Sequence, residues 1–487
     1  MNTPLRRTAI AAIVLFAALF VNVNYVQFVQ ADSLRDNRHN RRVQLDRYAE
    51  ERGEILAGDK RIVTNIETKS RYRFQRQYPS GPLYAHITGY NSLYYGRTGI
   101  EDEYDDVLAG EDESLFASRV SDFITGREPQ GAAVRLTIRD SVQRVAAKEL
   151  GDRRGAVVAI DPKSGAILAM VSTPTFDPQP ITSLDQRKAA AGFDKAKDTP
   201  GNALVSKATA DTAPPGSIFK VITAAAYLDK ERKKPSDRIA SPHRLDLPLT
   251  TNVLRNFGDS TCGGDNVTIE KALEVSCNTA FANMGLAVGP EALREQAERF
   301  GFNEPFDDFP LRTVRSVFPA GIDEPQTAYA SIGQHDVRVT PLQMAMVAAA
   351  IGNSGVVMEP RVVDAVIGED LQPIRGASPE VDRLKEQPAV TPEIAGMLTQ
   401  MMETAVRTGS GQKAQIQGVR VAGKTGTAQN AAGKPPHAWF IGFAPADNPS
   451  VAICVFVEGG DAGGSTEATG GRVAAPIAKA VMEAALK

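Results

Sequence analysis

Residues 211–230 read DTAPPGSIFKVITAAAYLDK, and this stretch decides how the rest of the chain is to be read. Two prolines and a glycine precede Ser217, and Lys220 stands three residues later at the head of an apolar run. Pro214, Pro215 and Gly216 suit a turn before a helix, which places Ser217 at or near its N-terminus. Residues i and i+3 share a helix face, so the Lys220 amine can approach the Ser217 hydroxyl. The helix N-terminus also favours negative charge developing there. A serine N-cap with a solvated lysine explains the same residues more plainly. Spacing alone does not choose between the two. Ser410-Gly-Gln-Lys413 has the same pattern, but it lies in the glycine-rich loop RTGSGQKAQ, with no apolar run to fix its lysine. Ser410 is therefore expected to be a bystander.

Two further motifs decide in favour of chemistry. Ser276-Cys277-Asn278, in EKALEVSCNTAF, is the only Ser-x-Asn of the chain, and Lys424-Thr425-Gly426-Thr427, in VRVAGKTGTA, holds the only Lys-Thr-Gly. Each has a plain reading, a capped helix turn for the first and a strand end for the second. Three such motifs in this order, on a helix, a helical turn and a strand, are hard to ascribe to chance.

The surrounding chain limits the function. At 487 residues, with 42% hydrophobic and 23% charged residues, it is long and apolar enough for two or three ordinary domains. A net charge of −3 and 6% aromatic residues leave no basic or stacking surface for nucleic acid. Three cysteines without C-x-x-C and five scattered histidines lack zinc-ligand spacing, so neither a metal nor a cofactor is expected. MNTPLRR followed by an unbroken apolar run from Ala9 to Val21 suggests a spanning helix, which needs roughly 20 mostly apolar residues. An uncleaved signal anchor is expected, because the small-residue exit Val29-Gln30-Ala31 is weak; a cleaved signal peptide and a buried core helix are the competing readings. Arg6 and Arg7 on one flank face Arg35, Arg38, Arg41 and Arg42 on the other, so the exterior placement of the bulk rests on chemistry rather than on charge.

Residues 32–152 are polar and rich in arginine and tyrosine, with DSLRDNRHNRRVQLDRYAEE reading as helix and YPSGPLYAHITGY and YYGRTGIEDEYDDVLAG as short strand-like pieces. A turn cluster at GREPQG precedes a strand and helix in AVRLTIRDSVQRVAAKEL. From residue 153, GAVVAIDPKSGAILAMVST reads as a hairpin, helices fill much of 217–350, and strands return at GVRVAGKTGTA, HAWFIGFAP and SVAICVFVEGG. The chain closes on an amphipathic helix, APIAKAVMEAAL. Strands first and last with helices between predict an antiparallel sheet on which the two ends meet, with a helical insertion.

The three motifs resemble those of the penicillin-binding proteins and serine β-lactamases. Arg52-Gly53-Glu54-Ile55 resembles the Arg-Gly-x-Ile motif of the N-terminal domain of class B penicillin-binding proteins, and Gly96-Arg-Thr-Gly-Ile-Glu101 resembles a second motif there. GQHDVRVTPLQMAMVAAAIGNSG, residues 333–355, is similar to the family's stretch between its second and third motifs; His335-Asp336 within it is read as structural. The anchor, the short N-terminal domain and the lack of a C-terminal extension look most like actinobacterial members of the class.

The resemblance implies an α/β (α+β) transpeptidase fold: a five-stranded antiparallel sheet flanked by helices with a helical subdomain, a smaller non-catalytic N-terminal domain and one transmembrane helix. It implies an anchor at 1–31, a non-penicillin-binding dimerisation or pedestal domain at 32–152 and a penicillin-binding domain at 153–487. The implied activity is peptidoglycan D,D-transpeptidation through a Ser217 acyl-enzyme, on stem peptides ending in D-Ala-D-Ala, inhibited by β-lactams. Lys220 would act as base only when neutral, its pKa lowered by burial and by Lys424. Ser276 and Asn278 would bond Lys220, and Lys424, Thr425 and Thr427 would take the substrate carboxylate. Gly426 would let substrate lie along the strand, and the N–H groups of Ser217 and Thr427 would form the oxyanion hole. His437 and Trp439 are read as sheet packing.

A β-lactamase would need a deacylating base, and no Glu-x-x-Leu-Asn element is present. A D,D-carboxypeptidase, and a β-lactam sensor or divisome scaffold, are the other readings; divisome or glycosyltransferase partners would use the N-terminal domain. An exterior domain tolerates disulfides, so a Cys262–Cys277 bridge is expected against the alternative of two buried thiols, with Cys454 an inert core thiol.

Overall fold

The computed structural model describes residues 3–30, 48, 50–70, 72–115, 124, 126, 130–368, 372–374, 388–429, 435–459 and 469–487. GAVVAIDPKSGAILAMVST folds as a hairpin of strands Gly155–Ile160 and Ile167–Thr173. Its first strand pairs antiparallel with Val451–Val457, which pairs with His437–Ala444, which pairs with Ala422–Ala428. The resulting five-stranded sheet leaves Ala422–Ala428 as one edge.

Side chains alternate across these strands, so each strand supplies two cores. Val157, Ala159, Phe440 and Ile453 pack with helices Asp140–Leu150 and Ala474–Ala485 on one face. Val158, Ile441 and Cys454 pack with helices Lys220–Lys230 and Pro341–Gly352 on the other. Helices Ile269–Glu274, Asn278–Val288 and Pro290–Arg299 form the expected insertion beside the sheet's open edge.

A second five-stranded sheet orders Val363–Ile367, Ala133–Leu136, Ile55–Ala57, Lys60–Glu67 and Phe74–Gln77. Its strands come from both sides of residue 152. Helix Asp140–Leu150 places Val142, Ala146 and Leu150 in the core of the later sheet, and the Val363–Ile367 strand pairs back onto Ala133–Leu136. Hydrophobic burial, rather than chain order, sets the partition.

GPLYAHIT also differs from its strand-like reading. It is a helix, Gly81–Thr88, because Pro82 suits a first helical turn and Tyr84, Ile87 and Thr88 recur on one buried face. The acidic run after Gly99 likewise forms two short helices, Ile100–Glu103 and Asp105–Leu108. The helix expected over 32–51 lies outside the described residues apart from Tyr48, Glu50 and Glu51, as does the middle of GREPQG, residues 127–129.

The two N-terminal motifs meet. Arg52 Nε donates to Glu101 Oε2 at 2.8 Å, Arg52 Nη1 to Asp105 Oδ1 at 2.7 Å, and Arg76 Nε to Glu101 Oε1 at 2.6 Å. Tyr78 adds its hydroxyl to the same carboxylate. Burial by itself would raise the Glu101 pKa, but Arg76 and Arg52 hold it below the ordinary value. The apolar segment forms one helix, Thr3–Val29, with a π-helical last turn; none of it is buried against the protein, which excludes the core-helix reading.

Candidate active site

The nucleophile motif sits where a 3₁₀ turn, Gly216–Phe219, runs directly into helix Lys220–Lys230. Gly216 has φ +54°, and a Cβ there would lie 2.9 Å from the Thr427 carbonyl oxygen, so the corner needs glycine for both conformation and space. Ser217 is half-buried at the cleft, whereas Lys220 is fully buried behind it.

Ser276 joins the two lysines. It lies between helices Ile269–Glu274 and Asn278–Val288 with φ +61°, left-handed backbone that costs a non-glycine residue about 1–3 kcal/mol. That turn puts its hydroxyl oxygen 3.2 Å from Lys220 Nζ and 2.9 Å from Lys424 Nζ. Lys220 also donates to the Ser276 carbonyl and to Asn278 Oδ1, each at 2.7 Å. Burial pushes the Lys220 pKa well below the usual amine value, and the Lys424 charge lowers it further. Burial also brings Lys424 down to about 7.

The third motif occupies the sheet's edge. Lys424 and Gly426 face the nucleophile turn, while Thr425 and Thr427 face the opposite side, by the two-residue period of a strand. Lys424 Nζ donates to the Thr425 carbonyl at 2.8 Å. The Thr427 carbonyl points at Gly216, so its N–H, which shares the direction of the carbonyl in a strand, faces the same turn. A Cβ on Gly426 would come within 2.9 Å of Ile218 Cγ2 and 3.0 Å of the Pro215 carbonyl oxygen, so its bareness admits the nucleophile's own turn.

Sequence reasoning missed Asn256. Cys277 occupies the N-cap position of helix Asn278–Val288 and is joined to Cys262 by a disulfide, so its side chain provides no cap. Asn256 Oδ1 accepts instead from the Asn278 and Thr279 N–H groups, at 2.7 and 3.1 Å. No periodicity marks a cap that comes from 22 residues away. Sequence reasoning also set Ser410 aside, yet its hydroxyl lies 2.6 Å from Thr425 Oγ1. Lys413 is exposed on the far side of that loop. His437 and Trp439 are buried in the sheet, His437 Nδ1 accepting from the Gly459 N–H. Cys454 is a buried free thiol with its pKa raised by burial.

The penicillin binding protein transpeptidase domain family matches residues 155–483, and the penicillin binding protein A dimerisation domain family matches residues 52–134. The chain is 43% identical to the peptidoglycan D,D-transpeptidase PbpA of Mycolicibacterium smegmatis, over 100% of this chain and 99% of that protein. It is 40% identical to the PbpA of Mycobacterium tuberculosis over the same shares. The ceftriaxone acyl-enzyme complex of penicillin-binding protein A from M. tuberculosis superposes with a TM-score of 0.86 at 40% identity, covering 91% of this chain and 100% of that one. Its penicillin G acyl-enzyme complex gives 0.83 at 40% identity, over 90% and 100%. The chain thus belongs to the penicillin-binding protein transpeptidases, and within them it is a class B penicillin-binding protein.

Proposed function

We infer that this chain is a single-pass membrane peptidoglycan D,D-transpeptidase that binds β-lactams, and that Ser217 is its nucleophile. The observation that carries the assignment of residues is the pair of buried lysines bridged by one strained serine hydroxyl, directly behind a half-exposed serine.

Burial, and after it the charge of Lys424, push the Lys220 pKa well below the usual amine value and so favour its neutral form. A neutral amine has two hydrogens, which the 2.7 Å bonds to the Ser276 carbonyl and Asn278 occupy, and a lone pair left to take the Ser217 proton. Ser217 Oγ then bonds to the carbonyl carbon of the penultimate D-alanine. The tetrahedral oxyanion is received by the N–H groups of Ser217 and Thr427; losing one such donor costs on the order of 10²–10³ in rate. As the C–N bond breaks, the Lys220 proton passes through Ser276 to the departing D-alanine amine, and Lys424 beside Ser276 favours that transfer. An acceptor amine attacks the ester, the same groups run in reverse, and Ser217 is regenerated.

The stem peptide lies as an added antiparallel strand on the open edge of Ala422–Ala428. Its carboxylate lies at the strand's edge, where Lys424 reaches it from one face and the Thr425 and Thr427 hydroxyls from the other. The anchor is read with its N-terminus inside the cell and the catalytic unit outside, where the substrate is. We divide the remainder into an N-terminal pedestal, closed by the Val363–Ile367 strand, and a penicillin-binding unit beginning at helix Asp140–Leu150. The pedestal is the surface for divisome or glycosyltransferase partners.

Intact-mass measurement after mixing with penicillin G tests this. One added antibiotic mass should persist, and Ser217→Ala should remove it; repeated hydrolysis of the drug would overturn the reading. A thioester donor with and without an amine acceptor separates transfer from hydrolysis, and product that ignores the amine would make the chain a carboxypeptidase.

A further inference from the structure

The loop after helix Pro392–Arg407 reaches both the second and the third motif. The Ser410 N–H donates to the Glu274 carbonyl at 3.3 Å, two residues before Ser276, and Thr408 Oγ1 bonds the Glu274 carboxylate at 2.9 Å. On its other side, Ser410 Oγ lies 2.6 Å from Thr425 Oγ1. A Cβ on Gly471 would stand 2.5 Å from the Ser410 carbonyl oxygen, so Gly471 packs against the loop. Thr425 is buried while Ser410 is exposed.

We propose that Ser410 is a positioning residue for the substrate carboxylate, acting through the Thr425 hydroxyl. The proposal rests on the reading above, in which Thr425 receives that carboxylate. Each of the two hydroxyls has one proton, and in the empty site either can donate. A carboxylate only accepts, so a bound substrate requires Thr425 to donate to it. Ser410 must then donate to Thr425, and the chain of bonds runs Ser410 to Thr425 to carboxylate. Polarisation along such a chain strengthens the terminal bond. Because the Ser410 backbone is tied to Glu274, the same bond also fixes the third motif's hydroxyl relative to Ser276.

The test compares Ser410→Thr with Ser410→Val, side chains of one shape that differ by a hydroxyl, beside wild type, Ser217→Ala and Lys413→Ala. The second-order acylation rate is measured with penicillin G and with its neutral methyl ester, and Tm is recorded for each variant. Ser410→Val should acylate about three- to tenfold more slowly with the free acid, the range of one modest hydrogen bond. Its rate with the ester should match wild type, and Ser410→Thr should restore the rate with the acid. Lys413→Ala should behave as wild type on both. Equal rates of Ser410→Val and wild type on the acid would overturn the proposal, as would an equal loss on acid and ester, which would mean a distorted cleft. Failure of the wild type to acylate, or acylation of Ser217→Ala, would instead overturn the underlying assignment of the nucleophile.

Discussion

Lys220 and Lys424 have the same side chain and opposite requirements. In the proposed mechanism Lys220 works only when neutral, and Lys424 works as a cation. In the free enzyme Lys424 titrates at about 7, so its charge is present below that pH and lost above it. Lys220, lowered well below an ordinary amine, loses its base form as pH falls through its own pKa. The second-order acylation rate should therefore fall above about pH 7 as Lys424 discharges, and again toward acid pH as Lys220 takes up its proton. Lys424→Arg, which cannot discharge, should flatten the alkaline limb at a modest loss of rate, while Lys220→Arg should abolish acylation at every pH. A fluorescent penicillin followed across both limbs checks this, and equal losses in the two variants would refute the division of roles. The eight proposed residues at 217, 220, 276, 278 and 424–427 were all legible in the sequence because motif order is independent of fold. The work of Gly426 was not legible, since the Ile218 and Pro215 atoms it accommodates are distant in sequence and meet it only in space.

At the scale of elements, the second motif is a short turn held from outside. Asn256 caps the helix that begins at Asn278, Asn278 Nδ2 reaches the Arg255 carbonyl, and the Cys262–Cys277 bridge ties the segment after Asn256 to the turn. Thiol counting under denaturing, non-reducing conditions should find one free thiol, Cys454. Cys262→Ser should lower unfolding free energy by about 3 kcal/mol for a loop of this length in the chain-entropy model. Asn256→Ala should cost about 1–2 kcal/mol as a lost cap and slow acylation by loosening Asn278. Chemical denaturation and acylation kinetics together check this; an unchanged acylation rate in Asn256→Ala would show that the cap serves stability only. Strands and long helices were readable from their apolar periods. GPLYAHIT was not, because eight residues mixing aromatic, β-branched and proline residues carry no decisive period. Asn256 escaped for another reason: a remote cap leaves no local signal.

In the whole molecule the buried carboxylate of Glu101 ties the first N-terminal motif to the second and to Arg76. Glu101→Gln should destabilise the protein by about 3–5 kcal/mol, because it leaves two buried guanidinium groups undercompensated. Tm should drop while the acylation rate of the still-folded fraction stays unchanged; a lost rate at an unchanged Tm would place Glu101 in the chemistry instead. The apolar N-terminal helix and the sheet with a helical insertion followed from composition and strand order. The place of Val363–Ile367 in the second sheet did not, since a strand of five residues within a long later segment carries no mark of the sheet it will join. That strand, Val363–Ile367, has a practical consequence. Pedestal and catalytic unit are not cassettes to be exchanged between relatives at one cut. A hybrid joined near residue 152 would graft a pedestal whose outermost strand comes from the other parent, and a pedestal expressed by itself would expose the Ala133–Leu136 edge as a template for aggregation. Whatever docks on the pedestal is thereby linked, through covalent chain, to the segment that leads from the Pro341–Gly352 helix behind the nucleophile.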